Sequence, residues 1–147
     1  MLKFFLFGLG LVLPAVLTSS LSAQNQNQKQ VYSQKEFRTL DREKLAGGEG
    51  MIAGKFSFLR NDPETPEKGI CEIGWLTIQP GDSIGLHEHK TEEDVYVIVS
   101  GQGIFTDGQG AETEVAGGDI TVTRRGQSHS LKNTGQTPMI VLDVLAR

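Results

Sequence analysis

From residue 55 to its end the chain is cut into short apolar segments by turn residues. Pro80-Gly81, Gly101-Gln102-Gly103, Asp107-Gly108 and Gly117-Gly118 supply the cuts. Segments this short, rich in β-branched residues and bounded by glycine, are strands rather than helices. Glycine reaches the positive φ values that tight connections need. The pattern predicts strands near 55–60, 70–79, 83–89, 94–100, 103–107, 111–115, 119–124, 128–133 and 139–145. A succession of short strands in a 147-residue chain predicts one all-β domain, a sandwich or barrel with a single core.

Side-chain alternation adds a constraint. Val95-Tyr96-Val97-Ile98-Val99 is apolar at both parities, and so are Ile140, Leu142 and Val144 against Met139, Val141 and Leu145. A strand with one solvated face would show polar residues on that side. The inner face lines a barrel interior, and the outer face needs a cover. The prediction is a homodimer through these outer faces. Shielding by the N-terminal arm of the same chain is the alternative.

The ends of the chain read differently. Met1 to Ala23 has a charged start at Lys3, an apolar stretch from Phe4 to Leu17 and a cleavage region at Leu21-Ser22-Ala23. This is the pattern of a secretory signal peptide, and it predicts a secreted or periplasmic protein with no stable membrane anchor after processing. Residues 24–50 read as a flexible arm: Gln24 to Gln30 has no apolar residue, and Gly47-Gly48-Glu49-Gly50 closes the stretch. The barrel domain is then expected over residues 51–147. The formal net charge of −4 offers no basic patch for nucleic acid. Cys71 is the single cysteine, so no internal disulfide forms, and a lone thiol of this kind is expected to be buried and inert.

The chemistry is concentrated in three histidines. His87 and His89 form a His-x-His pair, Asp94 follows five residues later, and His129 stands in a later strand. Residues i and i+2 of a strand point to the same side, so His87 and His89 can aim two ring nitrogens into one cavity. Imidazole with carboxylate suits Zn, Fe, Mn, Cu or Ni. Glu93 has the opposite parity to Asp94 and takes its place only through a one-residue register shift.

The spacing is more specific than the residue types. Gly81, five residues, His87-x-His89, four residues, Asp94, six residues and Gly101 make one motif. Gly118, five residues, Arg124-x-Gly126, two residues, His129, three residues and Asn133 make another. Together they resemble the two motifs of the cupin superfamily, over roughly residues 70 to 145. Asp94 stands where the family has a metal-binding glutamate, and Arg124 stands where the second motif has a proline. The resemblance implies a double-stranded β-helix, or jelly-roll barrel, with one divalent transition metal (Mn, Fe, Zn, Ni or Cu) held by His87, His89, Asp94 and His129. It also strengthens the expectation of a homodimer.

Tyr96 shares the parity of Asp94 and is a candidate to meet a small-molecule ligand. Arg124 is a second candidate, through the planar fork a guanidinium offers to an anion. Trp75 reads as a core residue. Fold does not fix function: cupins include dioxygenases, decarboxylases, isomerases, storage proteins and ligand sensors. The expected function is a small metalloenzyme acting on a small polar or acidic metabolite by oxidative or isomerising chemistry. The alternative is a non-catalytic module that binds metal or carbohydrate.

Overall fold

The computed structural model describes residues 29–63, 65 and 69–147. The expected leader over 1–23, and the first part of the arm, lie outside the described residues. Tyr32–Arg147 forms one compact unit.

Among the described residues, eleven strands carry the fold. In chain order they are β1 (Arg38–Thr39), β2 (Arg42–Glu43), β3 (Met51–Phe58), β4 (Ile70–Ile78), β5 (Ser83–Glu88), β6 (Glu93–Ser100), β7 (Gln102–Asp107), β8 (Glu112–Ala116), β9 (Ile120–Thr123), β10 (Ser128–Asn133) and β11 (Met139–Ala146). One sheet runs β1-β3-β4-β11-β6-β9, with β2 also on β3, and the other runs β5-β10-β7-β8. Every strand pair is antiparallel. The strands expected from residue 70 onward lie within a residue or two of those observed. The fold is the expected all-β double-stranded β-helix.

Alternation puts the core between the sheets. Met139, Val141, Asp143 and Leu145 of β11 are buried, and the residues between them are half-buried. Ile52, Phe56, Leu76, Ile78, Tyr96, Ile98 and Val141 from the first sheet meet Ile84, Val115 and Leu131 from the second. Burying a side chain such as Phe56 contributes about 2–3 kcal/mol, so these few residues supply much of the cohesion. Gly101 turns the chain between β6 and β7 at φ +88°, where a Cβ would lie 2.7 Å from the Met139 Cα. Asn133, fully buried at the end of β10, donates from Nδ2 to the carbonyls of Ile78 and Thr137 and accepts from the Gly135 N–H. Cys71 is buried, and its thiol donates to the Leu145 carbonyl at 3.5 Å. Burial pushes that thiol's pKa up, which keeps it a poor nucleophile.

Two expectations are corrected here. The compact unit starts well before residue 51: β1 and β2 pair with β3, and Leu40 and Leu45 pack against the core. Trp75 is not a core residue. It lies on the outer face of β4 with 39% of its surface exposed, because the inward parity of that strand belongs to Glu72, Gly74, Leu76 and Ile78. The outer face carries two apolar rows across strands. Trp75, Leu142, Val97 and Ile120 are in register on β4, β11, β6 and β9, followed by Ile73, Val144, Val95 and Val122. The arm pairs at β3, on the far side of β4 from these rows.

Candidate metal centre

The site is built where β5, β6 and β10 meet. β5 and β10 pair antiparallel with His87 opposite His129, but Leu131 lies opposite Ile84, so three residues of β5 span two of β10. This bulge at Gly85-Leu86 reverses the parity of β5. Ile84 and His87 therefore both face the interior, and Leu86 is left exposed. Bulges commonly re-aim a side chain in this way beside functional sites. Glycine is required at position 85, since a Cβ there would lie 2.2 Å from the Ala46 carbonyl oxygen of the arm. The freed Gly85 carbonyl lies 2.9 Å from His87 Nδ1 and accepts its proton. That fixes the tautomer and leaves the Nε2 lone pair pointing inward.

His89 lies just past β5, where its backbone N–H bonds the Gln127 carbonyl and its own carbonyl accepts from Gly126. The 124–127 turn thereby clamps the second ligand. His129 from β10 is fully buried between the rings of Tyr96, at 4.9 Å, and Phe105, at 5.7 Å. Asp94, 2% exposed, enters from β6 opposite Thr123.

The four groups converge. His89 Nε2 lies 3.1 Å from His87 Nε2, 3.0 Å from His129 Nε2 and 3.3 Å from Asp94 Oδ2. His129 Nε2 is also 3.3 Å from Asp94 Oδ2. All four candidate ligand atoms lie within 4.8 Å of one another. Ligands about 2.1 Å from one ion are separated by roughly 3.0–3.4 Å, so this donor set fits a divalent transition metal. Protons alone satisfy the cluster poorly, because an N–H on His89 has three acceptors and only one hydrogen. Burial also lowers the pKa of His87 and keeps that ring neutral, the form a metal needs. Burial pushes the Asp94 carboxyl up, but hydrogen bonds with His129, His89 and Asp143 outweigh it and hold Asp94 below the usual carboxylate range.

Asp143, which the sequence reading passed over, sits behind Asp94. It is 4% exposed and lies opposite Tyr96 on β6, one inward step from Asp94. Burial, then the charge of Asp94, raises its pKa well above the ordinary value. Asp143 is therefore the acid of the pair that favours its proton. The Tyr96 hydroxyl is also pushed up, by burial and then by Asp94, and stays protonated.

His87, His89 and Asp94 of the centre line a cavity of about 270 Å³ whose walls also include Arg42, Arg60, Glu72 and Tyr96. Tyr96 thus stands where a ligand can meet it. Arg124 does not line this cavity. It is an exposed residue, its side chain 63% accessible, and it pairs with Glu93 across the surface. Strand alternation explains both placements: Asp94, Tyr96 and Ile98 hold the inward parity of β6, which sends Glu93 outward to Arg124. Among the described residues, the cationic side chains lining the cavity are instead Arg42 and Arg60. No motif marks either one. The parity of β11 and β4 does mark Asp143 and Glu72, two acids in otherwise apolar inward rows.

Known proteins agree with this geometry. The family profile described as "Cupin domain" matches residues 74–145. An oxalate-binding protein from Thermotoga maritima is 40% identical over 70 residues, covering 48% of this chain and 57% of its own length. A gentisate 1,2-dioxygenase from Ralstonia sp. is 33% identical over 73 residues, which cover 50% of this chain and 20% of that protein. The chain thus spans little more than half of the first of these relatives and a fifth of the second. The crystal structure of a predicted oxalate decarboxylase from Thermotoga maritima superposes with a TM-score of 0.69 at 29% identity, over 80% of this chain and 98% of that one. In sheet order, motif spacing and profile match alike, residues 74–145 are similar to cupin domains, with a His/Asp cluster able to hold a metal ion.

Proposed function

We propose that the protein is a secreted or periplasmic metal-dependent cupin whose ligand is a small carboxylate of the oxalate type. One observation carries this reading: three histidine nitrogens and a carboxylate converge, and three of the four residues, His87, His89 and Asp94, line a cavity of about 270 Å³. A cavity just below the usual range for ligand sites suits a molecule of few heavy atoms. A divalent metal held by His87, His89, Asp94 and His129 supplies Lewis acidity and an attachment point for an anion. The chain does the rest. The clamp on His89 and the Gly85 bulge hold the ligands in place, and Tyr96 keeps a neutral hydroxyl at the wall. The relative named as oxalate-binding, and the similar structure named as a predicted oxalate decarboxylase, support the choice of ligand class.

A small metalloenzyme acting on such an acid is the preferred reading. The cavity walls also support a binding module, because the buried acids there are committed. Asp94 belongs to the metal cluster, Asp143 favours its proton, and Glu92 pairs with Arg147 and Thr91. The test is to load the protein with Mn²⁺, Fe²⁺ or Zn²⁺, measure oxalate binding, and follow oxalate and O₂ consumption. Consumption supports the enzyme, and tight binding without consumption supports the module. Mass spectrometry of the secreted chain tests the compartment, with a mature N-terminus near Gln24 as the expected result. We also propose a homodimer through the outer apolar rows, since an exposed face of that kind is an association site.

A further inference from the structure

Arg42 reaches the cavity from outside the stretch that matches the cupin family. Its strand β2 pairs with β3, Arg42 opposite Ile52. This sets the guanidinium over the Phe56 ring, with Cζ 4.9 Å from the ring centroid, and leaves it 23% exposed on the cavity wall. Such stacking holds the planar fork in one orientation. Arg42 lines the same cavity as His87, His89, Asp94 and Tyr96.

The partner of Arg42 is shared. Glu72, 2% exposed, takes Arg42 Nη2 at 3.4 Å and Arg60 Nε at 3.7 Å. It also accepts the Arg60 backbone N–H at 3.3 Å. Two guanidiniums on one carboxylate leave a positive charge over at this wall. Both side-chain contacts are also longer than the roughly 2.7–2.9 Å of a tight charge-assisted bond. Arg60 holds Glu72 by backbone and side chain if Arg42 turns away. The other acids along the walls are committed as described, apart from Glu88 at an exposed position with Lys90 4.0 Å away.

We propose that Arg42 is the anion-recognising residue of this cavity. Its guanidinium receives the carboxylate end of a small ligand reaching the metal cluster, and so selects carboxylates over neutral molecules of the same shape. The assignment rests on the functional reading above and deepens it. The site joins the N-terminal strand pair to the barrel, and the arm thereby becomes part of the binding pocket.

The experiment titrates the Zn²⁺-loaded protein calorimetrically with oxalate and with its neutral isostere oxamide, zinc content being measured separately by atomic emission. In Arg42→Gln, zinc content and oxamide binding stay as in the wild type while oxalate affinity falls about 10- to 100-fold, the loss expected for one charged hydrogen-bonding group. Arg42→Lys, a point charge without the fork, falls between. Oxalate binding by Arg42→Gln at wild-type affinity overturns the assignment while leaving the functional reading intact. Wild-type protein that holds zinc but takes no oxalate overturns the ligand class, and the role of Arg42 with it. If Arg42→Gln unfolds because Glu72 loses a partner, Arg42→Gln with Glu72→Gln removes the stranded charge. Wild-type oxalate affinity in that double variant overturns the assignment equally.

Discussion

Asp143 and Asp94, both buried, lie one inward step apart across the paired strands β11 and β6, and their interaction holds the Asp94 carboxyl low and pushes that of Asp143 high. Groups that orient a ligand typically account for 10- to 100-fold in metal affinity. Asp143→Asn keeps a donor of the same shape and is expected to hold metal within a few-fold of the wild type. Asp143→Ala loses the donor, and its affinity should fall about 10- to 100-fold. Competition against a chelator of known affinity measures both. Equal affinity in all three proteins would remove Asp143 from the site.

The pH dependence of the metal-free protein has two opposed parts. His87 has a lowered pKa in the fold, so the unfolded chain takes up its proton first as pH falls. Its contribution is full above 6.5 and is lost at lower pH. Asp143 has a raised pKa, so its contribution is full below 3.8 and is lost as pH rises. Melting temperatures at pH 8 and pH 5 separate the two. From pH 8 to pH 5 the wild type should lose ground against His87→Gln and gain ground against Asp143→Asn. The opposite slopes would contradict the assigned protonation states.

Much of the site was legible because spacing carries it. The strand positions follow from glycine turns, and the four candidate ligands follow from two motifs whose residues keep a fixed distance along the chain. What escaped depends on contacts between distant segments. Arg42 reaches the cavity through the β2–β3 pairing, which no local pattern in the arm announces. Arg124 looked like an anion receptor by residue type, yet alternation in β6 sends Glu93 outward to neutralise it. The register of β5 was also not simple alternation. His87 faces inward alongside Ile84 only because of the Gly85 bulge, a feature set by its pairing with β10. Asp143 was readable as an acid in an apolar inward row, and Trp75 shows that a large aromatic among apolar neighbours can still lie outside.

Asn133 links β10 to β4 and to the turn before β11 by three side-chain hydrogen bonds, one buried and two part-buried. Replacing it with Ala leaves two carbonyls and one N–H without a partner. The expected loss is about 3 kcal/mol of unfolding free energy, given about 1 kcal/mol per bond. Zinc content should stay unchanged, because Asn133 touches none of the four ligands. Denaturant unfolding monitored by circular dichroism checks the magnitude, and a loss under ~0.5 kcal/mol would show that these bonds are replaced by water.

The outer apolar rows predict their own disruption. Leu142 lies at the middle of one row, between Trp75 and Val97. Wild-type protein at micromolar concentration should scatter light as a dimer. Leu142→Glu should scatter as a monomer with its metal content intact. A monomeric wild type would show that this face has another use.

The central claim is that His87, His89, Asp94 and His129 hold one metal ion between them. Metal analysis of the protein purified without chelator, beside His129→Ala and His87→Ala, tests it most directly. The account predicts one divalent transition ion per chain in the wild type and a loss of most of it in either variant. Wild-type protein that takes up no such ion at micromolar concentration, or variants that keep their full complement, would contradict it.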